Sequence, residues 1–298
     1  MTIPFDRNLD YEYGVLQDVA PGIRRIVARN PSAFTFHGTG TYVLGTGEVA
    51  VIDPGPDDEA HIGALLAGLA GEQVTHILIT HTHRDHSPGA ALLKKETLAL
   101  TYGFGPHGTE PSSDGSEIEE GADREFTPDL ILDDRAAIGG PDWFLEVVHT
   151  PGHCSNHLCF RWPERRTLFC GDHVMAWSTT VIAPPDGDMA DYLASLDRIL
   201  EEEDEVYWPT HGPSITDPAP FVREVIAHRH DRERQILACL AEGHSTIADM
   251  VPVMYEGLDP QLHGAAARSV LAHLVHLVAT ERAVCDGAPG LDSPYRTP

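Results

Sequence analysis
No stretch of this chain is long and apolar enough to span a bilayer, and its opening residues, MTIPFDRNLDYEYG, lack the basic and then apolar pattern of an export signal. The expectation is a protein that neither crosses a membrane nor is anchored to one. Cysteine is sparse: five residues (Cys154, Cys159, Cys170, Cys239, Cys285), an odd number with no C-x-x-C pair. A disulfide framework and a thiolate metal cluster are both excluded on that count, and a reduced, cytoplasmic setting is expected. Basic charge is scarce as well, with 20 Lys and Arg against 46 Asp and Glu and a formal net charge of −26. A field of that sign repels nucleic acid and anionic membranes unless a local basic patch overrides it. Most of the excess lies in residues 1–219 (−23); 7 arginines against 10 acidic residues leave −3 for 220–298. Internal repeats and low-complexity tracts are also missing.

The first 210 residues instead hold short β-rich runs: TYVLG (41–45), VAVIDPG (49–55), HILIT (76–80), LALTYG (98–103), WFLEVVHT (143–150), HLCFRW (157–162), RTLFCGD (166–172) and EVYWPTHG (205–212). Between them, 57–71 and 189–203 carry apolar residues at helical spacing, so the pattern is α/β. Residues 105–129 are polar and aperiodic and read as a long loop at the rim of a site. After DPAP (217–220) the character changes to three helical segments, around 221–242, 245–256 and 262–280, ending in a short hairpin. Two units follow, 1–219 and a winged-helix-like 220–298.

THTHRDHSPG (80–89) crowds three histidines and an aspartate into six positions directly after a strand. One histidine in a turn is ordinarily a surface or core residue. Here His81, His83, Asp85 and His86 are joined by His153 in TPGH, Asp172 in GD and His211 in PTHG, each where a strand run stops. Loops at strand ends are where a rigid sheet can aim side chains at one point. Seven such groups exceed the needs of one tetrahedral Zn²⁺, whereas two ions about 3.5–4 Å apart could share them, with a carboxylate and a hydroxide between. Zinc suits the imidazoles, and iron or manganese would accept the same set.

HTHRDH resembles the H-x-H-x-D-H motif of the metallo-β-lactamase superfamily, and TPGH, GD and PTHG follow in that family's order. The resemblance spans nearly all of the first 215 residues and implies a four-layer αββα sandwich. It implies that His81, His83 and His153 hold one metal, that Asp85, His86 and His211 hold the other, and that Asp172 bridges them. It places Asp53, in the DPG turn, as support behind the ligands. Asp85 and Asp172 would act in catalysis by orienting the hydroxide. His157 could reach the site as a supporting group or proton donor; His37 has a weaker claim. Cys154, beside His153, is read as a small buried residue.

The bridging Asp172 and the missing export signal weigh against β-lactam hydrolysis and resemble the glyoxalase II and ribonuclease branches. The tail resembles that of the β-lactamase-like endoribonucleases, which implies cleavage of single-stranded RNA. Against this, Arg223, Arg229, Arg232 and Arg234 alternate with Glu224, Asp231 and Glu233, so the patch can pair internally, and no aromatic residues interleave it. The leading expectation is therefore a two-metal hydrolase of a small ester, thioester or lactone, with the RNA nuclease as the alternative. A metal-stabilised binding module, with the tail mediating a homodimer, is a third reading. A basic open groove would favour the nuclease and a narrow apolar pocket the small-molecule hydrolase. The PPDG turn (184–187) is expected in the pocket wall.

Overall fold
The computed structural model describes residues 3–108, 121–257, 259 and 262–298. Strands β1 (Gln17–Ala20), β2 (Ile23–Val27), β3 (Gly40–Leu44), β4 (Glu48–Ile52), β5 (Gln73–Leu78), β6 (Leu100–Gly103) and β7 (Leu130–Ile131) form one sheet in sequence order. A second sheet runs β13-β12-β11-β10-β9-β8, from β8 (Ala137–Gly139), β9 (Phe144–His149), β10 (Leu158–Trp162), β11 (Thr167–Gly171), β12 (Val206–Pro209) and β13 (Ile215–Thr216). Helices α1 (Glu59–Gly68) and α2 (Gly89–Thr97) follow β4 and β5. Helix α3 (Met189–Leu200) lies between β11 and β12, and α4 (Pro218–Ala241) follows β13. Asp58 and Asp188 start α1 and α3 by accepting backbone N–H bonds from the first turn.

The layering follows from the two-residue period of the strands. On β3 and β4, Tyr42, Leu44, Ala50 and Ile52 face the second sheet and pack with Leu145, Leu158, Phe160 and Phe169. Their neighbours Val43, Val49 and Val51 face outward against Ile62 and Leu65 of α1 and Leu93 of α2. On the far side, Cys159, Leu168, Cys170 and Tyr207 meet Tyr192, Leu196 and Ile199 of α3 and Val222 and Val225 of α4. These are the four layers αββα. All eight β-rich runs form strands, β3–β6 and β9–β12.

The β1–β2 hairpin was not legible, because Arg24 and Arg25 interrupt its apolar run. Arg24 pairs with Glu72, and Arg25 is buried with its guanidinium 3.4 Å from the Gly212 carbonyl. Helices α5 (Ile247–Met254) and α6 (His263–Ala279) and the hairpin β14 (Val284–Cys285) to β15 (Tyr295–Arg296) complete the chain. Helix α4 enters two cores: Phe221, Val222 and Val225 join the sandwich, while Ile236, Cys239 and Leu240 pack with α5 and α6. Among the described residues, no helix is long and apolar enough to cross a membrane.

Candidate metal centre
Strands β4 and β5 are parallel and in register at Ile52 and Leu78, and β11 and β12 are parallel and in register at Gly171 and Pro209. Strand β9 runs in the same direction as β11, since both are antiparallel to β10. The C-terminal ends of these strands therefore meet at one rim of the sandwich, and Asp53, the 81–86 turn, His153, Asp172 and His211 all sit just beyond them. The turns are tight. Gly171 has φ +52°, and a Cβ there would lie 2.6 Å from His157 Nε2. Asp53 adopts φ +48° despite its side chain, a conformation that points its carboxylate under the 80–86 turn.

The donor atoms form three overlapping groups, each within 4.8 Å: His81, His83 and His153; His81, His86 and Asp172; and Asp85, His86 and His211. In the first, His83 Nδ1 lies 3.0 Å from His81 Nε2 and 3.1 Å from His153 Nε2. In the last, Asp85 Oδ2 lies 3.0 Å from His211 Nε2 and 3.3 Å from His86 Nε2. Asp172 Oδ2 spans the latter pair, 3.4 Å from His211 and 3.6 Å from His86.

Outer partners fix how the rings are presented. Thr80 N and Thr80 Oγ1 donate to Asp53 at 2.8 and 2.7 Å, and Thr210 Oγ1 donates to it at 3.0 Å. With its one proton spent on Asp53, Thr80 Oγ1 accepts from His81 Nδ1 at 3.0 Å. His86 Nδ1 donates to Asp53 Oδ2 (2.9 Å), His153 Nδ1 to the Val181 carbonyl (2.8 Å) and His211 Nδ1 to the Gly38 carbonyl (3.2 Å). With each Nδ1 held from outside, four imidazoles turn Nε2 inward, the atom with which each would bind a metal.

Charge in the centre is divided unevenly. Burial, reinforced by neighbouring imidazoles, holds His81 and His83 well below the usual histidine range, so both are neutral at pH 7. Burial opposes charge on His86 and His211 too. There Asp85 and Asp172 outweigh it, pushing His86 well up and His211 up to about 10. Burial would likewise raise Asp85 and Asp172, yet the facing His86 and His211 hold both carboxyls well below their usual range. These carboxylates attract a divalent cation for the reason they attract imidazolium protons, and the two compete. The arrangement fits a metal: His86 Nε2 and Asp172 Oδ1 are buried without a hydrogen-bond partner, and the donor atoms of His81, His83 and His153 lie within 4.8 Å of one another.

His157 is fully buried beside His81, with ring centroids 5.1 Å apart. Its Nδ1 is 2.9 Å from Thr150 Oγ1, and its Nε2 accepts from the Asp172 backbone N–H. Both nitrogens are engaged: Nε2 faces the Asp172 backbone, and the ring's proton, on Nδ1, is directed at Thr150 Oγ1. Cys154 is buried with its thiol on Asn156 Oδ1, and His37 stacks between Tyr11 and Phe36. The described residues leave a cleft of about 30 Å³ above Asp85, Asp172 and His211, walled by Phe34, Met175, Trp177 and Val181. Among the described residues no Lys or Arg lines it. Trp177 stacks on Phe36 and lies over Gly212, where a Cβ would come within 2.7 Å of its ring.

The PPDG turn is not in this wall. Asp186 instead accepts bonds from Ser155 N and Ser155 Oγ, behind His153. Of the 105–129 segment, 109–120 lie outside the described residues; Ala122 bridges to His83 and Asp123 accepts from Ser87 Oγ. Sequence reasoning missed Thr80 and Thr210, the carbonyls of Gly38 and Val181, and Phe34 and Trp177. The carbonyls carry no residue-type signal, and a threonine beside a ligand is too common to be one.

Two sheets meeting at a rim of histidines and carboxylates define a metal-dependent hydrolase of the αββα class. The chain belongs to the metallo-beta-lactamase superfamily, whose model matches residues 35–211, and the model of the beta-lactamase associated winged helix domain matches 246–290. It is 33% identical over 267 residues to the beta-lactamase-like protein 2 homolog of Drosophila melanogaster, covering 85% of this chain and 86% of that one. It is 27% identical over 254 residues to the atrochrysone carboxyl ACP thioesterase of Claviceps purpurea, covering 82% of this chain and 76% of that one. Among solved structures, a beta-lactamase domain protein from Burkholderia ambifaria superposes with TM-score 0.80 at 21% identity, covering 99% of this chain and 97% of that one.

Proposed function
We propose that this protein hydrolyses a small ester or thioester with two zinc ions held at the rim of the sandwich. His81, His83 and His153 would hold one ion, Asp85, His86 and His211 the other, with Asp172 shared. When bound, such ions lower the pKa of a water to about 7 and polarise a carbonyl. The chain's own residues do the rest. Asp85 and Asp172, at the cleft floor, orient the attacking water by accepting its protons. Asp53 holds His86 and, through Thr80, His81 at fixed angles. Phe34, Met175, Trp177 and Val181 exclude bulk water and face the acyl group.

The observation that carries this reading is the convergent set of histidines and aspartates under a cleft walled in part by Phe34, Met175, Trp177 and Val181, with no Lys or Arg among its described lining. The thioesterase-named relative supports the ester and thioester class. Three of the four helical arginines offer little to a polyanion: Arg229 is buried, Arg232 covers the Tyr255 ring and Arg234 pairs with Asp231, which leaves the exposed Arg223. We keep the division 1–219 and 220–298, and a reduced compartment, as parts of the proposal; all five cysteines are free thiols. The test is a zinc-reconstituted assay across thioesters, esters, lactones, β-lactams and single-stranded RNA, with Asp172→Ala as control. Turnover of thioester or ester that the control lacks is expected. Cleavage of RNA alone would replace this reading with the nuclease, and no difference from the control on any substrate would refute it.

A further inference from the structure
Arg229 lies on α4, outside the metal centre, and its side chain is 3% exposed. Such a buried cation is ordinarily matched by a carboxylate. None of a described residue lies within ion-pair distance of it. Its Nη2 donates instead to the Thr180 carbonyl at 2.5 Å, and its guanidinium lies 5.1 Å from the centre of the Tyr192 ring.

Thr180 belongs to the 177–183 strap, which touches both halves of the centre. The next carbonyl, of Val181, receives the His153 Nδ1 proton and so sets that ring's tautomer and angle. Thr180 Oγ1 lies 2.8 Å from the Asp172 carbonyl and 3.0 Å from that of His173, which also accepts from Tyr192 OH at 3.0 Å. The same strap supplies Trp177, Ser178, Thr179 and Val181 to the cleft. One helical turn further along α4, the buried Glu233 is bonded to His276 of α6 and to Arg282, just before the β14–β15 hairpin. Helix α4 therefore ties the winged-helix unit at one turn and the metal-site strap at the other.

We infer that Arg229 is a positioning residue through which the C-terminal unit holds the 177–183 strap, and with it His153 and Asp172, in the geometry that binds metal and shapes the cleft. The inference rests on the two-metal reading above. Arg229 touches neither the ligand atoms nor the cleft, so its effect passes through the Thr180–Val181 peptide. Without the guanidinium that peptide can rotate, and His153 loses its fixed acceptor.

The experiment uses the full chain, stripped of metal and titrated with Zn(II) against a chromophoric chelator, with Tm and the KM and kcat for the best substrate measured alongside. Arg229→Met, which keeps the stem, is expected to weaken Zn(II) affinity about tenfold, at the lower edge of what groups behind metal ligands contribute, and to raise KM. Arg229→Lys should recover most of that loss. Thr180→Val, removing the other hook at nearly equal volume, should weaken Zn(II) binding in the same direction. A folded Arg229→Met protein with a lower Tm but wild-type Zn(II) affinity and KM overturns the inference, since the contact then only supports the fold. If that variant does not fold, Thr180→Val decides, and wild-type affinity in it overturns the inference. Wild-type protein that takes up no Zn(II) refutes the metal centre itself, a different failure.

Discussion
Two regions of this molecule bury charge, and they do so in opposite ways. At the rim of the sandwich, seven ligand-type side chains converge and leave His86 Nε2 and Asp172 Oδ1 without partners. Between α4 and α6, Glu233 is fully buried as well, yet His276 and Arg282 take both of its oxygens. A buried ionic group whose bonds are complete serves the fold, whereas buried groups that converge without partners are arranged for something that binds. Substitutions in the two regions should accordingly separate activity from stability.

The largest effect is expected from Asp172→Ala, which removes the carboxylate facing both His86 and His211. Activity should fall by about 10³-fold or more, on the scale of losing a directly stabilising group, with Tm little changed. Circular dichroism melts and initial rates on one sample check this, and retained turnover would break the assignment. Next comes Glu233→Ala, which strands His276 and Arg282. Since Arg282 is partly exposed, a loss of about 3 kcal/mol is expected from urea unfolding, with kcat nearly unchanged. A large fall in kcat per folded molecule would show that the two regions are not separable in this way.

Asp53→Asn keeps the shape of the support behind His86 and Thr80 but removes its charge. Zn(II) affinity should drop by about 10- to 100-fold, read by chelator competition. The smallest effect is a pH dependence of folding set by histidines outside the metal centre. Burial lowers His61, under the first sheet, to about 4 and His228, on α4, to about 4. With folded-state values below the unfolded one, both stay neutral in the fold, so stability is full above about pH 6.5 and declines as pH falls toward 4. Roughly 2 kcal/mol of that decline belongs to His61, which is mostly buried, and less to the more exposed His228. Urea midpoints for His61→Gln and His228→Gln against pH would sort them, and a wild-type midpoint flat from pH 6.5 to 4 would contradict both.

The strands and the candidate ligand residues are legible for the same reason. Alternation on β3 and β4 and the apolar runs of β9 to β12 are local patterns, and HTHRDH, TPGH, GD and PTHG follow strand ends within a few residues. The β1–β2 hairpin was hidden because Arg25 is buried by a carbonyl, Gly212 O, 187 positions away. His157 reads in sequence as a supporting group or a proton donor, and only the fold engages both its nitrogens, with Thr150 and the Asp172 N–H. The helical arginines read as a solvated or interdomain-paired helix, and only the fold singles out Arg229, buried against the Thr180 carbonyl.

What the sequence by itself determined is the set of donor types and the strand ends that carry them, because ligand chemistry and strand periodicity are written in residue identity and short spacing. What only the tertiary structure decided is which nitrogen of each imidazole faces inward, which groups stand behind it, and what walls the cleft. Those depend on backbone carbonyls at Gly38, Val181 and Thr180 and on long-range register. A carbonyl is the same in every residue, so only its position in the fold gives it a role.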